Sequence, residues 1–472
     1  MTMRGDRLSW SILAIVAVAA PLPFGSVDGP WIALWCIVLG VGLACCPVQN
    51  LKTIHVLVLF IAALLAAAFG LVLREQSAVH PWYAETNPLW NETARLLQRP
   101  LQPIVSVVRD QPWNALGNPL LGLLSFMAAF TIGSKPSDGR RLLRLFAWAG
   151  AVYAGFAIVM YLVDPAKILW REKMAHTDSL TGTFLNRNTA ATFFGTAALL
   201  WLAILARQAS KLLPRRMPAV RMAIQALLAR ERGSIVLAAA MYLLCMTALF
   251  LTRSRAGILL SLAAMVVVIL LAYRRMISAR AGMLTILLVF SAVGLVAFQT
   301  IGAGIGSRIQ LDGLFDESRI NTYRATWRMI SDHALIGTGL GTYELAFPAY
   351  RSADISLWGV WNRAHNTWLE LASDLGLPFM SLFSAGWLAI FVVLLRGFRN
   401  MRDPSFLPSS TAIFVLASIH SLVDYPLQIP GYNLMFWAVV GVALADAISP
   451  RTVTSRQTPA PLRSAFSKKN TF

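Results

Sequence analysis

Long apolar blocks are the feature that most constrains what this chain can fold into. About twelve of them carry almost no charge, and most have roughly the 17 to 23 residues that a helix needs to cross a bilayer. They are residues 8–24, 30–46, 51–73, 116–133, 142–163, 188–206, 234–251, 256–273, 283–301, 377–395, 409–423 and 432–448. Backbone groups in lipid must be paired within a helix or a closed barrel, and these blocks lack the alternation of barrel strands. The sequence therefore predicts an all-α, polytopic membrane protein with about twelve transmembrane helices.

The distribution of charge predicts how these helices are oriented. The chain has 41 Lys and Arg against 22 Asp and Glu, which gives a formal net charge of +19. Most of the basic residues fall in alternate connections between the blocks, as the positive-inside rule describes for cytoplasmic loops. We therefore predict that both termini are cytoplasmic, and the basicity gives no support for a nucleic-acid partner. Arg4 and Arg7 before the first block would also suit a signal peptide, but we favour an uncleaved first helix.

The connections divide the chain into one membrane domain and a tail. We interpret residues 1–448 as a single transmembrane domain and residues 449–472, rich in Ser, Thr, Pro and Lys, as a disordered cytoplasmic tail. The basic connection 207–232 is expected to lie on anionic membrane lipids. The outer connections that are too long to be simple links are 74–115, 164–187 and 302–365. Long loops in compact proteins usually carry function or disorder.

The last of these loops has a helical pattern. Ile320, Tyr323, Trp327 and Ile330 recur at the spacing of one helix face. The pattern predicts an amphipathic helix that lies at the outer headgroup level.

Ionisable residues are nearly absent from the centres of the blocks and collect at their outer ends. Titratable groups inside spans mark ion pathways, so this distribution argues against a proton-coupled transporter. It favours a site at the headgroup plane, where a lipid diphosphate concentrates negative charge. Arginine matches phosphate oxygens with a planar, permanently charged fork and needs no metal to do so. The candidates are Arg187, Arg255, Arg324 and Arg328; the plainer interpretation of each is a headgroup contact or a structural ion pair.

His365 is the candidate general base. A sugar diphosphate leaves as a stable anion, but the attacking hydroxyl needs a base, and neutral imidazole accepts a proton near neutral pH. Glu344 and Asp354 would match it only if burial raised their pKa values. The plainer alternative is that His365 caps the following helix, a role that Asn366 would fill better.

Other polar motifs are interpreted as structural. His420 and Asp424 are one helical turn apart, which favours a structural hydrogen bond that orients the eleventh span. The glycine-rich residues 337–341 have no flanking βαβ unit, so we expect a tight turn rather than a phosphate loop. The remaining histidines have no carboxylate or cysteine companions at ligand spacing, so we predict neither a metal site nor a cofactor. These histidines are His55, His80, His176 and His333.

Taken in order, six motifs resemble the O-antigen ligase and polymerase superfamily of bacterial envelope glycosyltransferases. They are Gly182-Thr183-Phe184-Leu185-Asn186-Arg187-Asn188, Thr252-Arg253-Ser254-Arg255-Ala256-Gly257, Arg324 with Trp327, Gly337-Thr338-Gly339-Leu340-Gly341, His365-Asn366 with Leu369 and Gly376, and His420-Ser421-Leu422-Val423-Asp424-Tyr425-Pro426. Each motif is weak alone, and the ordered set is fairly specific. One departure is Leu377-Pro378, which follows Gly376 where a second glycine is common.

The resemblance implies a GT-C-like helical fold in the bacterial inner membrane and metal-independent transfer on the periplasmic side. It implies an undecaprenyl-diphosphate-linked glycan as donor, Arg187, Arg255 and Arg324 at the diphosphate, and His365 as base. Possible supporting residues are Arg328, Asn366, His420 and Asp424.

Two classes of function stay open at this point. The first is an inverting enzyme, either a ligase that uses a lipid A core acceptor or a polymerase that uses a lipid-linked repeat, and we favour the ligase. The second is a transporter or flippase for lipid-linked glycans, which would require charged residues along a transmembrane cavity.

Overall fold

The computed structural model describes residues 2–46, 48–49, 51–212, 232–273, 317–355, 361–398 and 406–449. Several of the predicted features lie outside these residues. They are the ninth apolar block (283–301), most of the basic connection 207–232, the loop segments 302–316 and 356–360, and the tail from residue 450.

The described chain is helical almost throughout. Its helices are α1 (Thr2–Ala19), α2 (Gly29–Ala44), α3 (Thr53–Ser77), α4 (Leu89–Leu96), α5 (Gln111–Asn114), α6 (Gly117–Gly133), α7 (Pro136–Val163), α8 (Arg187–Leu212), α9 (Arg232–Leu251), α10 (Arg255–Tyr273), α11 (Glu317–Asp332), α12 (Tyr343–Ala346), α13 (Thr367–Leu375), α14 (Leu377–Gly397), α15 (Leu407–His420) and α16 (Pro430–Ile448). Short 3-10 turns occupy Phe24–Ser26, Phe347–Tyr350 and Pro426–Gln428. The strands β1 (Lys167–Ile168) and β2 (Arg171–Glu172) pair antiparallel.

Apolar helices account for every predicted block within the described residues. Those long enough to span a membrane are Thr53–Ser77, Gln111–Gly133, Pro136–Val163, Arg187–Gln208, Gly233–Leu251, Leu377–Gly397 and Pro430–Ile448. Shorter apolar helices are Arg7–Ala19, Gly29–Ala44, Arg255–Leu271 and Leu407–His420. The prediction of a polytopic helical membrane protein is therefore confirmed at the level of helix type and length.

Helix α8 occupies the centre of the bundle, and α3 lies at its periphery. The apolar window of α8 is 89% buried and that of α3 only 11%. Helices α7, α9, α10 and α15 pack around α8. Since lipid is as apolar as these side chains, the exposed face of α3 suits contact with acyl chains.

Small residues let α6 and α16 approach closely. A Cβ at Gly441 would lie 2.7 Å from the Phe126 carbonyl oxygen, and one at Gly133 would lie 3.0 Å from the Ala445 Cβ. Such small-residue contacts are the usual way in which membrane helices gain packing energy.

The predicted amphipathic helix is present as α11, and the face that it buries against the protein is not the predicted apolar face. Ile330 is buried, whereas Trp327 is 56% exposed and Ile320 is 36% exposed. The buried face carries threonines instead. Thr322 and Thr326 can be buried because their hydroxyls donate to the carbonyls of the preceding turn.

Helices α13 and α14 meet at Gly376, directly before Leu377-Pro378, where this chain departs from the family pattern. Gly376 has φ +79°, and a Cβ there would lie 2.4 Å from the Leu335 carbonyl oxygen. The Leu377 amide donates to Ala334 O at 2.7 Å. Pro378 lies in the first turn of α14, where its missing N–H costs nothing, so the second glycine is dispensable.

Candidate functional site

Asp424 is the centre of a polar cluster at the ends of α8, α10 and α15. Its side chain is buried, and it accepts hydrogen bonds from Asn186 Nδ2 at 2.9 Å and Asn188 Nδ2 at 2.5 Å. The Tyr425 amide donates to the same carboxylate at 2.9 Å. The asparagines belong to the segment that starts α8, so one carboxylate joins two distant parts of the chain.

Ser254 extends this cluster to the third helix. Its hydroxyl donates to Asn188 Oδ1 at 2.7 Å and accepts from the Gly257 amide at 3.3 Å, which caps the start of α10. Arg187 directly precedes Asn188, and Arg255 directly follows Ser254. The cluster therefore brings the backbones of two predicted diphosphate ligands to the same end of the bundle.

His365 faces the Asp424 carboxylate. Its Nδ1 lies 3.6 Å from Asp424 Oδ2, and its side chain is 28% exposed against 1% for Asp424. Its ring lies between Trp361, 6.1 Å away and edge-on, and Tyr425, 5.2 Å away. The separation of 3.6 Å is longer than a hydrogen bond, so Asp424 acts on the partly accessible imidazole as a nearby charge.

Asp424 is a carboxylate at neutral pH despite its burial. Burial alone would raise the pKa of Asp424, but the imidazoles of His365 and His420 and the Tyr425 amide outweigh it and lower the pKa to about 2. An anion in this place favours the His365 tautomer with the proton on Nδ1.

The backbone of His365 adopts a left-handed conformation, with φ +51°. Its carbonyl accepts the Tyr323 hydroxyl at 2.9 Å, so α11 contacts the residue directly. The cap of α13 is Asn366, whose side chain accepts the Trp368 and Leu369 amides at 3.1 Å each. His365 is therefore not the helix cap.

The predicted arginines have different surroundings. Arg187 is partly buried and its Nη1 donates to Ser179 Oγ at 3.4 Å. Arg255, Arg324 and Arg328 are exposed, and Arg324 contacts Asn321 on its own helix at 3.2 Å. Among the described residues, Arg255 makes no ion pair. Arg324 and Arg328 share α11 with Tyr323, which places them on the helix that touches His365.

His420 is fully buried and binds elsewhere than predicted. Its Nδ1 lies 2.6 Å from Thr192 Oγ1, and that hydroxyl donates to Asn188 O at 2.9 Å. The Asp424 amide donates to His420 O at 2.9 Å. The expected side-chain hydrogen bond between His420 and Asp424 is absent from the described contacts, in which His420 Nδ1 faces Thr192 instead.

The glycine-rich segment 337–341 is a tight turn, as predicted, and no phosphate cradle. Its amides all donate to protein acceptors: His333 O, Ser373 O, Asp374 O, Gln76 Oε1 and Asp374 Oδ2. An anion would find no free N–H group there.

Sequence analysis missed several residues of the cluster. Asn186, Asn188 and Tyr425 were named only as members of the motifs, and Tyr323 only as part of one helix face, so none of them was given a partner in the cluster. Arg319 was also missed; its Nη1 donates to Val423 O at 2.8 Å. The available signal was polar side chains at the very end of an apolar block, where burial makes their pairing obligatory.

The fold and site define a class: a helical, multi-pass membrane protein with a buried carboxylate, a histidine and several arginines at one end of its bundle. Residues 238–384 match the family model described as O-antigen ligase. The resemblance drawn from the motifs is thereby confirmed. The matched segment includes Arg255, Arg324 and His365. A search of curated proteins gives no significant match.

Proposed function

We propose that this protein is an O-antigen ligase of the bacterial inner membrane. It transfers a glycan from undecaprenyl diphosphate to an acceptor hydroxyl, with inversion, on the periplasmic side. The proposal includes a twelve-span, GT-C-like frame with both termini in the cytoplasm. The observation that carries it is the His365–Asp424 pair at the end of the apolar bundle where Arg187 directly precedes Asn188 and Arg255 directly follows Ser254.

His365 acts as general base in this reaction. With Nδ1–H directed to Asp424, Nε2 is the atom that accepts the proton of the acceptor hydroxyl. The hydroxyl oxygen then attacks the anomeric carbon, the bond from that carbon to the diphosphate oxygen breaks, and the diphosphate leaves with the electron pair. Asp424 stabilises the imidazolium that forms, as the buried aspartate does in hydrolase triads.

The arginines bind the lipid diphosphate. Arg187, Arg255 and Arg324 supply the guanidinium groups, and Arg328 extends the set on α11. Their charge does not depend on pH, and it stabilises the negative charge that grows on the leaving diphosphate. Among the described residues, no group of three or more His, Cys, Asp or Glu could hold a metal ion. We assign this role to the arginines because a guanidinium matches the geometry and charge of phosphate oxygens.

The test is a transfer assay with purified protein in liposomes. The donor is an undecaprenyl-diphosphate glycan, and both a lipid A core and a second lipid-linked glycan are offered as acceptors. We expect product on the lipid A core, none with His365→Ala, and unchanged transfer with His80→Ala, which alters an exposed histidine outside the cluster.

The outcomes separate the alternatives. Product on the lipid-linked glycan alone would make the protein a polymerase, and flipping of the donor without transfer would make it a flippase. Full turnover by His365→Ala would remove the assignment of the base.

A further inference from the structure

We propose that Glu370 is a positioning residue, which holds the backbone of the base His365 in its working conformation through the two residues that precede it. The inference rests on the proposed function and goes beyond it, because Glu370 touches neither His365 nor any predicted phosphate ligand.

Both oxygens of the Glu370 carboxylate bind the segment before His365. Oε1 accepts Arg363 Nη1 at 2.9 Å, and Oε2 accepts the Ala364 amide at 2.8 Å. The carboxylate is 2% exposed, so these contacts are shielded from water. A buried carboxylate with two charge-assisted or amide partners is a strong and directional restraint.

The restraint acts where the chain needs one. His365 has φ +51°, a conformation that non-glycine residues adopt only when their surroundings impose it. Glu370 fixes the residues on its N-terminal side. Tyr323 and the Asn366 cap fix its carbonyl and the residue that follows. The direction of the imidazole towards Asp424 is thus set from both sides.

The helix that carries Glu370 is itself anchored at its far end. Asp374, one turn further along α13, accepts the Gly341 amide at 2.8 Å through Oδ2, and its carbonyl accepts Gln76 Nε2 of α3 at 2.7 Å. Burial, and then the nearby Glu370 carboxylate, raise the pKa of Asp374 well above its usual range.

Arg363 belongs to the Glu370 clamp, by which we mean the contacts of the Glu370 carboxylate with Arg363 and with the Ala364 amide. The Glu370 carboxylate opposes the effect of burial and raises the pKa of the Arg363 guanidinium. In this arrangement Arg363 orients the loop that ends at His365, and the diphosphate is left to the arginines that lie outside the clamp.

The experiment compares Glu370→Ala, Glu370→Gln and Arg363→Met with a matched control, Glu344→Gln, whose carboxylate is exposed. Two readouts are taken from the full-length protein in detergent or liposomes. The first is kcat and the KM for the donor. The second is the rate at which diethyl pyrocarbonate modifies His365, followed by mass spectrometry, which requires no turnover.

We expect Glu370→Ala to lower kcat by about 10- to 100-fold with the donor KM within about two-fold, because a base displaced by about 1 Å loses that much. Glu370→Gln keeps one acceptor oxygen for the Ala364 amide, so its kcat should lie between that of wild type and that of Glu370→Ala. Both should change the modification rate of His365, and Glu344→Gln should change neither readout.

Two results would overturn the proposal. One is an unchanged kcat and an unchanged modification rate in folded Glu370→Ala, or in Glu370→Gln if the alanine variant does not fold. The other is a loss confined to KM or to thermal stability. Failure of the proposed function looks different: wild type would then transfer no glycan, while the modification rates still report whether Glu370 positions His365.

Discussion

The interface between α6 and α16 and the polar cluster around Asp424 are stabilised by different interactions. Between α6 and α16, glycine and alanine contacts bring the backbones close and so favour dispersion, and hydrogen bonds from Ser125 to Leu434 O and from Asn433 to Asn118 O add to it. Around Asp424, the buried anion binds Asn186 and Asn188 at the start of α8, and Asn188 in turn accepts Ser254 at the start of α10. Packing of the first kind tolerates many apolar sequences. The second kind requires particular atoms, because an unpaired buried polar group is costly. This difference is why we place the chemistry at the polar end.

The largest effect is expected from removing the Asp424 carboxylate, which is the centre of the polar cluster. Asp424→Ala removes the anion that orients His365 and leaves two asparagine amides unpaired. We expect kcat to fall by about 10³- to 10⁴-fold, as when the aspartate of a catalytic triad is lost. The measurement is glycan transfer in liposomes.

Asp164→Asn is the matched control for this variant. Asp164 lies on the surface in a solvent-exposed pair with Lys167, at 3.3 Å. Such pairs contribute little, so its turnover should equal that of wild type. Near-normal turnover by Asp424→Ala would show that the carboxylate is only a structural link.

The second prediction compares two arginines, Arg253 and Arg255, at the turn between α9 and α10. Arg253 and Arg255 are two residues apart, but Arg253 pairs with Asp178 at 3.1 Å, whereas Arg255 makes no ion pair with any residue that the structure describes. Arg255→Ala should reduce kcat/KM for the lipid diphosphate by about 10²- to 10³-fold, the usual loss for one group that stabilises developing charge. Arg253→Ala should reduce it by less than about ten-fold. Equal losses in the two variants would contradict the assignment of Arg255 to the diphosphate.

The smallest effect is expected from the apolar interface. Gly441→Leu places a side chain against the Phe126 backbone, which overpacks the interface and should cost about 1 to 3 kcal/mol of stability. The kcat of the folded fraction should stay unchanged. Gly70→Leu is the control, since a Cβ at Gly70 meets nothing within 4 Å. Thermal unfolding in detergent measures the cost, and a large loss of kcat in folded Gly441→Leu would mean that the two regions are coupled.

Much of the fold could be predicted because each membrane helix can be recognised from the apolar residues of its own segment. A block such as 377–395 has one stable option in lipid, and α14 begins at Leu377 as expected. The buried face of α11 could not be predicted in the same way. Its threonines satisfy their hydroxyls within the helix and then pack inward, for example Thr326 against Tyr343, at 2.9 Å between hydroxyls. The periodicity of apolar residues does not reveal a helix face that is buried through threonines.

The sequence by itself determined which residue types could do the chemistry, and it determined the order of the motifs in the chain. It also determined that the helices are apolar, because hydropathy is a property of each block alone. Only the tertiary structure decided which polar groups meet. Asn186 and Asp424 are far apart in sequence, and the Glu370 clamp depends on a loop that folds back onto its own helix. Such contacts form only where burial removes water as a competitor for each donor and acceptor, so their partners are chosen by packing in three dimensions.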